Sequence, residues 1–460
     1  MAFLDGTVVN VALPAIRADL GMGTTGLQWT VDAYLVTLSA LVLLGGSLGD
    51  LYGRRRVFMA GLGGFVAASF LCGLAPNAGA LIAARALQGV AAAFLVPGSL
   101  ALISASFRPE DRSQAVGAWS GLAGLASAAG PFLGGWLVDA VSWRLVFLLN
   151  LPLAAAAAWI TLRHVPETRD DEARRPDLAG AAAVTVGIAG LTYALIEGPA
   201  RGGFVPVLAG VVGALGLAAF VAVERRVASP MLPLELFRSS QFTGANLTTI
   251  AVYFGLGGAI FLLVLHLQLA LGYSALRAGA SLLPFTVVML VLSARMGYLA
   301  RRTGPRLPMT IGPLVTATGL LLMARVGPGS GYFEAVLPAV AVFGLGMTIT
   351  VAPLTSAVLA AVDERHVGVA SGVNNAVARL AGLVSVAALP ALTAIHPENP
   401  ATVAAGFPAA MRICAAACAA GGVAAFLTIR TAVAIKPVPQ AAMQPPCPEP
   451  CLAEDEADAA

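Results

Sequence analysis

Charge is what this sequence has least of. Asp, Glu, Lys and Arg make up 11% of its 460 residues, against about 25% in an ordinary soluble protein. A water-facing surface cannot be covered with so few charges, and the mean hydropathy of +0.84 carries the same meaning. Lysine is almost missing: Lys436 is the single one, so the pattern G-x-x-x-x-G-K-[ST] is absent and a P-loop ATPase is excluded. The 4 histidines are scattered and form no nucleophile, base and acid set, so nothing points to an enzyme. The 5 cysteines make no disulfide framework. Cys72, Cys414 and Cys418 lie in apolar runs and act there as small hydrophobes. Cys447 and Cys451 close a C-P-E-P-C stretch with no His or second Cys pair nearby, so no metal is expected. Also missing is any hydrophilic region large enough for a nucleotide-binding domain, and neither a bound cofactor nor a nucleic-acid partner is expected.

What the chain has instead is apolar sequence, 58% of residues before its 51 glycines are counted. Continuous apolar runs of about 20 residues, the length that spans a bilayer as helix, recur along nearly all of it. They do not alternate every second residue as barrel strands do. The runs lie near 3–16, 29–48, 57–74, 80–107, 113–138, 144–162, 178–196, 204–223, 242–268, 278–299, 307–324, 334–358, 367–394 and 403–429. The fold class is therefore an all-α polytopic membrane protein with fourteen transmembrane helices. The first run is short, with about fourteen apolar residues before Arg17, so the polypeptide is expected to begin upstream of Met1.

Basic residues accumulate in cytoplasmic loops. Of the 27, eighteen fall in one alternating set of breaks, Arg54, Arg55, Arg56, Arg163, Arg225, Arg226, Arg301 and Arg302 among them. Five fall in the opposite set (Arg17, Arg144, Arg201, Arg277 and Arg325), and four lie within segments: Arg85, Arg295, Arg379 and Arg412. This places the loop at residue 54 and the C-terminus in the cytoplasm, in a multi-pass protein of the cell membrane. The tail after residue 430, rich in proline and acids, is expected to be disordered.

Gly46-Ser-Leu-Gly-Asp-Leu-Tyr-Gly-Arg-Arg55 recurs as Gly297-Tyr-Leu-Ala-Arg-Arg-Thr-Gly-Pro-Arg306, a constant offset of 251 residues. Two halves related by a parallel repeat follow from this. Eight segments lie between the copies where six would suffice, so two helices are inserted. The organisation read from this is a six-helix bundle over 1–162, a connector at 163–177, two inserted helices over 178–223 and a loop at 224–241. A second six-helix bundle over 242–430 and a tail at 431–460 complete it. The mixed-charge connector is expected to let the bundles move separately.

Gly46 to Arg55 resembles the loop signature G-x-L-A-D-x-x-G-R-R of the major facilitator superfamily. Leu81-Ile-Ala-Ala-Arg-Ala-Leu-Gln-Gly89 resembles its fourth-helix signature R-x-x-Q-G, and Gly117 to Gly135 resembles its glycine-rich fifth-helix antiporter signature. Leu4-Asp-Gly-Thr-Val-Val-Asn-Val-Ala-Leu-Pro14 and Gln28-Trp-Thr-Val-Asp-Ala-Tyr34 resemble the first two helices of its fourteen-helix drug:proton antiporters. The resemblance implies a major facilitator fold and proton-driven export of amphipathic small molecules such as antibiotics. It implies no cofactor beyond the proton gradient. The partners would be a small-molecule substrate, protons and membrane lipids, with a functional monomer. A proton-coupled uptake symporter on the same fold and a non-transporting membrane sensor are the alternatives.

Each motif carries its own chemistry. Asp5 and Arg85 are the charged pair expected inside the first bundle, where approach and separation can switch Asp5 between loading and releasing a proton; Asp32 is the next candidate. Asp50 faces Arg54 and Arg55 as a charge-assisted latch between helix ends, while Gly46, Gly49 and Gly53 allow close backbone approach and a tight turn. Gly117, Gly130, Gly134 and Gly135 strip one face of the fifth helix for close packing, and Pro131 adds a bend. Polar and aromatic residues inside apolar runs are the substrate-binding candidates: Asn10, Tyr34, Gln88, Trp119, Tyr253, His266, Gln268, Asn374 and Asn375. The second half has only Glu334, Asp363, Glu364 and Glu398, all near loop edges, so dicationic drugs are disfavoured and a neutral, weakly cationic or zwitterionic compound is expected.

Overall fold

The computed structural model describes residues 1–107, 109–169, 176–227, 230–363 and 367–429. The expected tail at 431–460 and residues 170–175 of the connector lie outside the described residues. The first half holds α1 (Ala2–Leu20), α2 (Thr24–Tyr52), α3 (Arg54–Gly73), α4 (Ala78–Ser106), α5 (Pro109–Ala140) and α6 (Arg144–His164). Then come α7 (Leu178–Arg201) and α8 (Phe204–Glu224). The second half holds α9 (Ser240–Ala270), α10 (Ala275–Ala300), α11 (Arg306–Met323), α12 (Tyr332–Ala360), α13 (Val367–Leu392) and α14 (Pro400–Thr428). Each apolar run of the sequence thus has its own helix.

The boundaries have local causes. Asn77, Asp177, Ser239 and Asn399 each accept a backbone N–H in the first turn of the helix they precede, satisfying a donor that has no partner inside the helix. Gly53 separates α2 from α3 at φ 107°, a conformation that an L side chain avoids. The helix α1 does not stop at the apolar boundary. It continues through Arg17 to Leu20 and closes at Gly21, which takes φ 63°.

Among the described residues, twelve of the helices are long and apolar enough to cross a membrane. The helix α1 falls outside that set because it carries Asp5, Arg17 and Asp19.

Within the first half α2 and α3 pack on α4, and α1 packs on α5; within the second, α9 packs on α13 and α14, and α11 on α12 and α14. The inserted pair forms a hairpin beside this body, touching it through α7 against α2 and α13. Small residues let α7 and α8 close on each other: a methyl added at Gly190 would lie 2.6 Å from the Ala209 carbonyl oxygen. The Trp29 indole donates to Glu197 at 2.9 Å and ties α7 to α2. Much of the other face of α8, including Val205, Val207, Val211 and Leu215, is bare apolar surface suited to lipid.

The halves are joined by hydrogen bonds at one end only, among the described residues, and this is the end opposite the arginine-rich loops. Gln28 of α2 donates to the Val386 and Ala387 carbonyls of α13, each at 2.8 Å. Gln268 of α9 donates to the Val11 carbonyl of α1 at 3.0 Å. Two carboxylates add a reciprocal pair. Glu398, after α13, accepts from the Thr24 backbone N–H at 2.7 Å, at the first residue of α2. Asp139, near the end of α5, accepts from the backbone N–H groups of Ala275 and Leu276 at 3.2 and 2.8 Å, at the first residues of α10. Thr24 and Ala275 are 251 residues apart (275 − 24), the offset of the repeat, so the two contacts are counterparts across the two halves.

The beginning of the connector is pinned rather than loose. Glu167 accepts from the backbone N–H groups of Arg55 and Arg56 at 3.0 and 3.1 Å, and the Thr168 carbonyl accepts from Arg54 at 2.8 Å. It caps the start of α3.

Candidate functional site

Inside the first half Asp5 is 0% and Arg85 1% exposed, and the Arg85 Nη1 donates to Asp5 Oδ2 at 2.5 Å. A charge at such a depth costs about 2.5–3.5 kcal/mol by insertion scales, so both must be compensated. The other Asp5 oxygen accepts from Gln88 at 2.9 Å and from Asn150 at 3.1 Å. Arg85 also reaches the Thr30 carbonyl through Nε at 2.9 Å and Gln88 Oε1 at 2.5 Å. Its guanidinium lies 4.4 Å from the Tyr34 ring centroid and 5.8 Å from that of Phe147. Ser69 accepts from both Gln88 and Asn150. Five helices, α1, α2, α3, α4 and α6, thus meet around one ion pair.

Asp32 is separate from this cluster. It is 0% exposed, and neither carboxylate oxygen has a hydrogen-bond partner among the described residues.

The substrate-binding candidates divide. Phe3 and Trp119 meet edge to face at 6.0 Å. Across from them Arg379 of α13 lies 5.7 Å from the Phe3 ring and within electrostatic reach of the Tyr34 and Tyr253 hydroxyls. Asn375 accepts from Arg379 Nε at 3.0 Å, and Asn374 donates to Asn246 and Thr249 at 3.2 and 2.7 Å. Trp119, Tyr253, Asn374 and Asn375 therefore gather where the halves face each other, whereas Tyr34, 1% exposed, is packed inside the first half on Arg85 with its hydroxyl donating to the Ala2 carbonyl at 3.3 Å. Four other candidates are committed elsewhere. Asn10 donates to the Gly6 carbonyl of its own helix, and Gln88 belongs to the Asp5 cluster. His266 is 0% exposed, stacked at 4.1 Å on Phe407 and bonded to the Val326 carbonyl, so it is packed in the core rather than open to a ligand. Gln268 joins the halves at the closed end.

The loop signature adopts a narrower geometry than its chemistry alone indicates. Asp50 pairs with Arg54 at 2.8 Å, four residues on, with side chains 39% and 24% exposed. An ion pair so exposed contributes about 0–1 kcal/mol. Arg55 turns instead to the Leu162 carbonyl at 3.0 Å. Among the described residues no hydrogen bond or ion pair joins Asp50, Arg54 or Arg55 to the second half. Gly53 makes the expected turn, but Gly46 and Gly49 have room for a methyl. The close approach is made by Gly45, which sits against the Ala93 carbonyl of α4.

The fifth helix packs on both sides. Gly130 and Gly134 receive Thr7 and Val8 of α1, and a methyl on Gly135 would lie 2.5 Å from the Ala275 carbonyl oxygen of α10. The Pro131 carbonyl faces Gly279. The surroundings of Gly117 lie outside the described residues.

Sequence reasoning missed Asn150, Ser69, Glu167, Asp139 and Arg379 as site residues. For Arg379 a signal existed: it is one of four arginines inside apolar runs.

A profile of the Major Facilitator Superfamily matches residues 1–386. The chain is 36% identical over 393 residues to the multidrug resistance protein Stp of Mycobacterium tuberculosis, covering 85% of this chain and 73% of that protein. It is 38% identical over 401 residues to a probable actinorhodin transporter of Streptomyces coelicolor, covering 85% and 69%. To the methylenomycin A resistance protein of Bacillus subtilis it is 36% identical over 395 residues, covering 84% of each. Among solved structures, a bacterial homolog of the human lysosomal transporter Spinster superposes with a TM-score of 0.64 at 17% identity, covering 93% of this chain and 94% of that one.

Proposed function

The chain belongs to the Major Facilitator Superfamily, and on that premise we propose that it exports drug-like and antibiotic small molecules, driven by protons moving the other way. It is a membrane transporter and not an enzyme. Relatives named for multidrug resistance, actinorhodin transport and methylenomycin resistance support the export of antibiotics.

The observation that carries the proton coupling is the buried Asp5–Arg85 pair. While Arg85 touches Asp5, the carboxylate is compensated. When the helices shift and the two part, an ionised Asp5 would be buried alone, so a proton takes the place of the guanidinium. Asp32, buried with no hydrogen-bond partner among the described residues, is the second proposed proton carrier. Substrate binds between the halves, against Trp119, Tyr253, Asn374 and Asn375. The two halves, 1–162 and 242–430, rock about it, with the hairpin at 178–223 alongside and a single chain as the working unit. The Asp50–Arg54 joint and the Glu167 cap are the latch of the first half, and the glycine faces of α5 provide its closest contact with the second.

The test is transport itself. Everted vesicles containing the protein should accumulate substrate when a proton gradient is imposed, and lose it when a protonophore collapses the gradient. Accumulation in right-side-out vesicles under the same gradient would establish the uptake symporter instead. A membrane sensor would accumulate nothing in either.

All fourteen helices cross the membrane in this reading, with the arginine-rich loops in the cytoplasm and the closed end outside. Single cysteines at His164 and Arg226 should react with impermeant thiol reagents only from the cytoplasmic side, and ones at Arg201 and Pro328 only from outside. The background needs serines at Cys447 and Cys451, while Cys72, Cys414 and Cys418 are buried and silent. Labelling from the opposite side at two of the sites would refute the topology.

A further inference from the structure

We propose that Arg379 selects the substrate, and that the favoured class is an amphipathic compound bearing a single anionic group, a carboxylate or an ionised phenol. The inference deepens the export reading and rests on it.

Arg85 and Arg379 both lie inside apolar helices, and they are treated differently. Arg85 is enclosed by an ion pair, a carbonyl, a side-chain amide and two aromatic rings. Arg379 has one neutral acceptor, Asn375, which engages Nε and leaves both terminal nitrogens without a protein acceptor among the described residues. It is only partly buried. No acid pairs with it among the described residues: the acids of the second half, Glu334, Asp363, Glu364 and Glu398, all lie near the edges of apolar runs, Asp5 is already engaged, and the buried Asp32 makes no hydrogen bond to it.

An intramembrane cation held this way draws its counter-charge from whatever enters. The two free nitrogens form the fork that binds a carboxylate in bidentate fashion, a geometry that a lysine does not reproduce. Beside that fork the surface is aromatic: the guanidinium lies 5.7 Å from the Phe3 ring, which meets Trp119 edge to face, and the Tyr253 hydroxyl is within its electrostatic reach. Flat apolar surface beside one oriented cation describes an amphipathic anion. This moves the expected substrate away from weak cations and keeps zwitterions only for their acidic group.

The experiment compares three probes on the full-length protein in lipid nanodiscs and in everted vesicles: fusidic acid, its methyl ester, and ethidium. The wild-type protein should bind and accumulate fusidic acid at least tenfold better than its ester. Arg379→Gln should raise the Kd for fusidic acid at least tenfold while leaving the ester and ethidium within threefold, and Arg379→Lys should recover only part of the loss. An equal loss for all three probes would make Arg379 a structural residue and overturn the proposal. So would a wild type that exports the ester or ethidium in preference to fusidic acid, which leaves the export reading standing. A wild type that accumulates none of the three under a proton gradient would overturn both. The wild-type comparison stands by itself should the variants fail to fold.

Discussion

Asp5→Asn should abolish accumulation against a gradient, by a factor of ten or more, while substrate binding and downhill exchange persist. The reason lies in what each Asp5 oxygen does. An asparagine keeps an acceptor for Gln88 and Asn150 or for Arg85, so the five helices stay joined, but the side chain can no longer exchange a proton. Asp5→Ala is the contrasting variant. Both variants remove the counter-charge of the buried Arg85, a change that costs about 3–5 kcal/mol when one partner of a buried pair is lost, but alanine also removes every hydrogen bond to position 5, and expression should fall further with it. The measurement is accumulation in everted vesicles at imposed pH gradients beside counterflow without one. An Asp5→Asn protein that still concentrates substrate would assign coupling to Asp32.

Gly135→Val should cut transport at least tenfold for a different reason: the closed end could no longer close. Its Cβ would lie 2.5 Å from the Ala275 carbonyl oxygen and 2.7 Å from the Leu276 Cα, both backbone atoms that cannot swing aside. The halves must part there, and Asp139 would lose its hold on the same two residues. A cysteine at position 28, where Gln28 is 3% exposed, should react faster with an external thiol reagent when Gly135→Val is added, and Gly135→Ala should be intermediate. Unchanged labelling with lost transport would mean that the glycine serves packing inside α5 alone.

These two sites also show what the amino-acid order discloses. Helices were readable because a bilayer-length apolar run is a local property, and the Asp5–Arg85 pair because each lies inside such a run within a motif. The partners that complete the pair, Ser69 and Asn150, are small polar residues of ordinary appearance until α3 and α6 bring them alongside. His266 misleads for the same reason: only the packing of α9 against Phe407 decides whether an imidazole is core or ligand. Gly45 rather than Gly46 makes the close backbone approach to α4, a difference of one residue, about 100° of helix, that no loop signature resolves. Loop carboxylates such as Asp139, Glu167 and Glu398 are the least legible, since their partners lie on segments distant in sequence.

The reciprocal carboxylates at the closed end bear on economy of the proton gradient. An exporter that opened at both ends together would short-circuit the membrane. Burial pushes the Glu398 pKa up, but the hydrogen bonds from its own backbone N–H and from Thr24 outweigh this and hold it below the usual carboxylate value. Its contribution to the seal is therefore fully present above that usual value and is lost only as pH falls through the lowered one. In the proposed proton-driven cycle, a mildly acid medium outside leaves this seal shut. Because Asp139 repeats the contact across the pseudo-twofold, either brace can hold while the other fluctuates, and leakage requires both to fail at once.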